Sequence, residues 1–358
     1  MDKRALFFNT IKKLLGMRLY NYVKDAIKET NKILLNSLLN RVISINRKRF
    51  RSNPCHMFIE VFKRNKNLEG QLFLKDFRAL TKNLDDNSII TIIKSLNRMK
   101  KIKENKFPFL ILFDKQEEKS LNQMKEDISH IIKLSNDIYQ YKNYQLPKRH
   151  FEASVFYYKH QLHEVSNLNK IKDKSIIDVG GFIGDSVLVF NELNPKNIYT
   201  FEAMPENFKF LIKTIKLNNI KNVTAINVAL GNKEGYCNMQ VAANASSSVM
   251  YLNNNNFKII KVPVITLDSY VKKNNIEVGL IKTDIEGAEP LFLEGAKETI
   301  FTQKPILLIS IYHNYHDYFK IKPMIESWNL GYTFKVSKPV DGSIVGETLL
   351  ICEVIDDI

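Results

Sequence analysis

The chain has 358 residues, a formal net charge of +15 and 44% apolar residues. That apolar share is ample for a buried core, while no apolar run approaches the ~18 residues of a membrane span and no signal peptide is visible at Met1. Three scattered cysteines, Cys55, Cys237 and Cys352, show no metal-ligand spacing and suit a reducing compartment, so a cytoplasmic protein is expected.

The charge is uneven. Residues 1–150 hold 32 Lys and Arg against 15 Asp and Glu; the remainder holds 21 against 23. This asymmetry places a domain boundary near 150, with a basic, mainly helical domain over 1–150 and a second domain over 151–358. Two explanations fit the basic half. One is an AT-rich coding sequence, since Lys, Asn and Ile abound throughout. The other is a surface for anionic lipid, nucleic acid or an acidic substrate.

Residues 5–47 carry apolar residues at helical spacing, with Lys12, Lys13, Arg18, Lys24 and Lys28 as a basic flank. Such a helix packs on its own domain or lies on an anionic membrane surface as a peripheral contact. Residues 55–105 read as helix broken near Gly70 and 85–87. Phe107–Phe113 reads as a strand or a buried turn of helix, and 117–141 as helix ended by Pro147. Residues 151–170 are expected to form an aromatic helix leading into a sheet.

The alternation then becomes regular. Strands are expected at 175–179, 197–203, 223–230, 279–287 and 305–313, with helices at 185–193, 206–218, 267–274 behind a Thr266 or Asp268 cap, 289–300 and 318–329. Residues 231–265 read as a hairpin-like excursion, and 332–337 with 348–355 as an antiparallel edge. Strand and helix in turn mean a doubly wound, mostly parallel sheet.

The stretch SIIDVGGFIG (175–184) organises this half: a buried strand, a glycine turn, then a helix. Gly180 and Gly181 offer bare backbone to a ligand. A dinucleotide fingerprint would place Gly181 and Gly184 as its second and third glycines, but Val179 stands where the first belongs. Asp178, Gly180 and Gly184 instead fit acidic-x-Gly-x-x-x-Gly, which suits a ligand with a cationic ammonium such as S-adenosylmethionine. Glu202, at the next strand's tip, can accept ribose hydroxyls from either cofactor.

The blocks DVGGFIGDS, FEAMPENF, NVALGN, LDSY and KTDIEGAE follow one another in the order of the FkbM family of S-adenosylmethionine-dependent methyltransferases, which the chain resembles over roughly Val155–Val354. Gly181 and Phe182 stand where the family's usual DVGANIG has Ala and Asn. The resemblance implies a Rossmann-like class I methyltransferase sheet and O-methylation, often of sugars or natural products. By the same resemblance Asp178, Gly180, Gly181 and Gly184 line the methionine end and Glu202 holds the ribose. Ala203 and Met204 touch the adenine, and Asn227, Val228 and Ala229 flank it.

In-line methyl transfer needs alignment and a proton acceptor. The candidates are Asp284 and Glu286 at the fourth strand's tip and His313 at the fifth's. The same three could hold magnesium. The expected partner is a small-molecule or glycan acceptor. A nucleic-acid methyltransferase ranks lower, because no RNA-binding motif is recognisable in 1–150. A non-catalytic cofactor-binding protein is disfavoured by the intact Asp178, Glu202 and Asp284.

Overall fold

The computed structural model describes residues 71–104, 113–242 and 257–355. The readings for 5–47, for 55–70 and for 107–112, and Cys55, lie outside them.

A seven-stranded sheet carries the fold. Its strands are β4 (Ser175–Val179), β5 (Ile198–Phe201), β6 (Val223–Ile226), β10 (Val278–Thr283), β11 (Ile306–Ser310), β12 (Tyr332–Ser337) and β13 (Leu349–Val354). They lie in the order β12-β13-β11-β10-β4-β5-β6, parallel except for β13, which is antiparallel to both neighbours. This is the Rossmann-like class I methyltransferase sheet expected. β4, β10 and β11 are buried along their whole length, as strands covered by helices on both faces must be. The register pairs Asp178 with Lys282 and Val179 with both Thr283 and Phe201. The C-terminal tips of β4, β5 and β10 therefore end level, and the order reverses at β4, where such sheets bind ligands.

Helices α1 (Gln71–Thr81), α2 (Asp86–Glu104) and α3 (Lys115–Ser129) precede the sheet. α3 starts with a capping box, Asp114 accepting from Glu117 N while the Glu117 side chain accepts from Asp114 N. α1 is tied to helix α10 (Tyr315–Glu326) by Asp76, which accepts from the Tyr315 hydroxyl and pairs with Lys320. Ser88 of α2 accepts a hydrogen bond from Val336 N of β12. Leu80, Ile92 and Met99 join the apolar cluster on one face of the sheet, and Tyr141, Leu146 and Phe151 join that on the other.

Several expected elements are corrected. The helix over 117–141 stops at Ser129, and β1 (Ile132–Ser135), β2 (Ile138–Tyr141) and β3 (Tyr144–Leu146) form an antiparallel meander. The apolar residues at 131–138 suit either period, but Asn136-Asp137 and Lys142-Asn143 are turn residues that a continuous helix would waste. Residues 151–170 hold only a four-residue helix, α4 (Ala153–Phe156), and two 3-10 turns. Lys159, His160 and Gln161 are successively left-handed, which ends any helix there. The strand over 223–230 breaks after Ile226; β7 (Ala229–Leu230) pairs with β9 (Phe257–Ile265), which with β8 (Gly235–Ala242) forms the excursion. The helix over 289–300 divides into α8 (Glu289–Gly295) and α9 (Lys297–Gln303). A Cβ at Gly295 would lie 1.9 Å from the Gly231 carbonyl oxygen, so this close approach admits only glycine. The remaining helices are α5 (Asp185–Asn191), α6 (Pro205–Leu217) and α7 (Leu267–Asn274), the last capped by Thr266 as expected.

Candidate active site

β4 leaves the sheet through Gly180 (φ +82), Phe182 (φ +45) and Gly184 (φ +86). Both Gly180 N and Gly181 N donate to the Phe201 carbonyl at 2.9 Å. A Cβ on Gly180 would stand 2.1 Å from the Asp284 carbonyl oxygen; one on Gly181 would stand 2.1 Å from Thr200 Oγ1. The turn is pressed against β5 and β10 so closely that the sheet itself requires these glycines. Phe182 occupies the position where the resembled family has Asn. Asn tolerates the left-handed region and Phe does not; here the Phe182 ring packs 5.0 Å from His150, which compensates. Gly180→Ala should cost about 1–3 kcal/mol from its φ alone, with the clash in addition. A clearly lowered melting temperature is the expected result, and an unshifted melt would show that the turn can open.

Asp178 is fully buried below the turn. It accepts from Thr200 Oγ1 at 2.8 Å and lies 3.2 Å from Lys282 Nζ, while Lys282 also donates to the Gly180 carbonyl at 3.1 Å. Its carboxylate is thus also engaged from within the sheet, by Thr200 and Lys282. Its Oδ1 has no hydrogen bond of good geometry, so the Lys282 contact is one of charge. Glu202, 6% exposed, accepts from Phe182 N (2.8 Å) and Met204 N (2.7 Å), joining the glycine turn to the tip of β5. Burial pushes its carboxyl up to about 7, against those two hydrogen bonds. Asn227 donates to the carbonyls of Glu202 (2.7 Å) and Ala203 (3.3 Å), holding the tips of β5 and β6 together. Ala203, Met204 and Ala229 form an apolar patch with Met239 and Val262 of the excursion. Val228 packs separately, against the main core. Bare backbone, a buried acid and an apolar patch at adjoining strand tips fit a nucleoside cofactor such as S-adenosylmethionine.

The tip of β10 carries the reactive-looking groups, and here the structure brings Asp284, Glu286 and His313 together. His313 is almost wholly buried, with Nε2 3.0 Å from Asp284, Nδ1 3.2 Å from Glu289 and Glu286 3.9 Å away. The ring nitrogens meet these oxygens off the line of a hydrogen bond, so the contacts are primarily electrostatic. Burial works against an imidazolium, but the carboxylates of Glu289 and Asp284 raise His313 well above its ordinary value. Burial alone would raise Asp284. His313, Lys282 and the Tyr312 hydroxyl (3.0 Å) instead hold it well below the usual carboxylate range. Glu286 differs: burial pushes it up to about 7, His313 opposing while the charges of Asp284, Glu289 and Glu152 add to the rise. It is also left-handed (φ +58), a conformation that non-glycine residues keep mainly where the surroundings enforce it.

Asp284, Glu289 and His313 also present ligand atoms within 4.8 Å of one another. The converging set thus holds Glu289 where Glu286 was expected, and the Glu289 carboxylate is already taken by Ile285 N and Gly287 N, so magnesium gains no support. Sequence reading missed Lys282, Tyr312 and the part played by Glu289, which accepts from Ile285 N (2.8 Å) and Gly287 N (2.9 Å) and so shapes the turn that carries Glu286. A lysine inside an otherwise apolar strand, LIKTD, was the available signal for the first.

Residues 178–334 match the model of the methyltransferase FkbM domain. No curated protein matches the chain. Among solved structures, a methyltransferase FkbM from Methylobacillus flagellatus KT is 18% identical, with a TM-score of 0.49, over 78% of this chain and 58% of that one. The chain thus spans less than two thirds of that relative. A putative methyltransferase from Streptococcus mutans, in complex with SAH, is 14% identical over 55% of this chain and 96% of its own (TM-score 0.33). TYW2 from M. jannaschii, in complex with AdoMet, is 14% identical over 63% of this chain and 90% of its own (TM-score 0.34).

Proposed function

We propose that this chain, whose residues 178–334 are a methyltransferase FkbM domain, is an S-adenosylmethionine-dependent O-methyltransferase acting on a hydroxyl of a saccharide or glycan precursor. The observation that carries the reading is the contrast between two carboxylates at one strand tip. Asp284 is held as an anion by His313, Lys282 and Tyr312, and Glu286 is poised near 7. A hydroxyl must lose its proton as its oxygen is methylated, and a base with a pKa near the working pH serves that best.

The cofactor, when bound, supplies a methyl group on a sulfonium, already activated for displacement. The chain does the rest. Gly180, Gly181 and the apolar patch at Ala203, Met204 and Ala229 seat the nucleoside and methionine portions. Glu202, braced by Phe182 N and Met204 N, fixes the turn on which they rest. Asp284 orients the acceptor through hydrogen bonds, and Glu286 takes the acceptor's proton. The products are the methyl ether, the thioether S-adenosylhomocysteine and a protonated Glu286.

Family resemblance supports the saccharide acceptor. No helix among the described residues is long and apolar enough to cross a membrane.

Calorimetry with the full chain tests the cofactor. S-adenosylmethionine should bind and NAD should not. Glu202→Gln, which keeps one acceptor for the turn, should weaken binding about tenfold or more, as losing a charged hydrogen-bond acceptor does. No heat with S-adenosylmethionine, or equal heat with NAD, would overturn the reading.

A further inference from the structure

The run Tyr312–Tyr315 joins β11 to α10, and each of its side chains is held by a different neighbour. Tyr312 donates to Asp284 at 3.0 Å, and His313 lies between Asp284 and Glu289. Asn314 caps α10: its Oδ1 accepts from Asp317 N at 2.9 Å, and its Nδ2 donates to the Asp317 carboxylate at 2.7 Å. This cap is packed on the turn that carries Glu286, since a Cβ on Gly287 would stand 2.9 Å from Asn314 Nδ2. Tyr315 instead reaches α1, where its hydroxyl donates to Asp76 at 3.0 Å.

α1 and the turn after it hold α10 along its whole length. Tyr315, Phe319, Lys322 and Glu326 recur at helical spacing and so form one stripe on α10. Tyr315 meets Asp76, and the Phe319 ring meets Phe73 edge-on at 5.8 Å. Lys322 donates to the Lys82 carbonyl, and Glu326 accepts from Asn83 Nδ2 at 3.0 Å. The contact with Asp76 lies at the end of the stripe next to His313, and the contact with Asn83 at the other end.

Asp76 is only 2% exposed. A carboxylate is costly to bury unless it is paired, and a buried ion pair generally holds two elements together no better than apolar packing would. Adhesion between α1 and α10 therefore does not call for an acid here. What a carboxylate adds is direction. Asp76 takes the Tyr315 hydroxyl on one oxygen and the Lys320 ammonium on the other, two points on α10 that together fix the helix in rotation and along its axis.

We propose that Asp76 is a positioning residue for the methyl-transfer site: by fixing the first turn of α10 it holds Tyr312, His313 and Asn314 in place, and through them the turn that carries Glu286. The proposal rests on the methyltransferase reading above. Asp76 lies well before residues 178–334, which match the family model. The matched segment is therefore incomplete as a catalytic unit without α1, because the first turn of α10 takes its orientation from outside it.

Hydrogen exchange of the full chain with S-adenosylhomocysteine bound, followed by mass spectrometry, tests this without an acceptor. The Ile285 and Gly287 amides, which donate to Glu289, report on the turn; the amides of β4 and β10 report on opening of the whole fold. Asp76→Asn should speed exchange in the turn about tenfold more than in those strands, as loss of a hydrogen bond to a charged group would. Tyr315→Phe removes the same bond from its other end and should act alike, and the double variant should add nothing further. Asn83→Ala, which cuts the exposed bond at the far end of α10, should leave the turn at its wild-type rate. An unchanged turn in both Asp76→Asn and Tyr315→Phe, equal acceleration of turn and strands, or additive effects in the double variant would each overturn the proposal and leave the methyltransferase reading standing. Failure of S-adenosylhomocysteine to bind the wild type would overturn both.

Discussion

Glu286→Gln should lower kcat by about 10²–10⁴-fold, the usual contribution of a positioned general base. The glutamine keeps the shape of the side chain and its hydrogen-bonding reach, so what it removes is the ability to take a proton. Its effect should be largest on kcat with little on KM, because the acceptor's proton is transferred only as the methyl moves. In the wild type kcat should rise with pH through about 7 and then level off, since Glu286 acts only when ionised and its carboxyl is pushed up to about 7. The variant's profile should lack that limb. Asp284→Asn is the control that separates the two acids. Removing its negative charge lowers the pKa of Glu286, so the limb should move to lower pH while remaining visible. If Asp284→Asn instead erases the limb and Glu286→Gln retains near-normal turnover, the roles are reversed and Asp284 is the base.

Legibility in the sequence followed the strength of local rules. The parallel sheet was readable because β4, β10 and β11 are continuous apolar runs separated by helical periods, and the glycine turn because DVGG leaves few other conformations. The meander at 132–146 was not, since Ile131, Ile132, Leu134 and Ile138 satisfy a helical period as well as a strand one, and only pairing with neighbouring strands decides. At the site, Asp284, Glu286 and His313 were singled out and do converge. What no one-dimensional pattern shows is direction. Asp178 turns inward to Lys282 although it precedes the glycines, and Glu289 turns back to cap its own loop although it opens a helix. Lys159, His160, Gln161 and Glu347 look like ordinary surface residues in sequence; their left-handed backbones are imposed by tertiary packing and have no local signature.

Glu289→Ala should be the most destabilising single change at the site, by about 3–5 kcal/mol, the range for breaking a buried charge pair from one side. Glu289 is fully buried. One carboxylate satisfies two backbone donors, Ile285 N and Gly287 N, and faces His313 at 3.2 Å. Truncation strands all three at once and leaves the imidazolium with Asp284 as its nearest counter-ion. At roughly 1.3 °C per kcal/mol for a chain of 358 residues, the melting temperature should fall by about 4–7 °C. Glu289→Gln, which still accepts from one backbone donor, should fall between the two. The pH dependence gives a signature that simple loss of packing would not. The folded-state pKa of His313 is raised above its unfolded value, so the pair's stabilisation is fully present below the unfolded histidine pKa and is lost as pH rises through the folded one. The gap in melting temperature between wild type and Glu289→Ala should therefore be widest in mildly acidic buffer and narrow toward alkaline pH. A gap that is constant with pH would mean that His313 is neutral in the folded protein. In that case the imidazole would be free to accept a proton, and the assignment of the base to Glu286 would have to yield to His313.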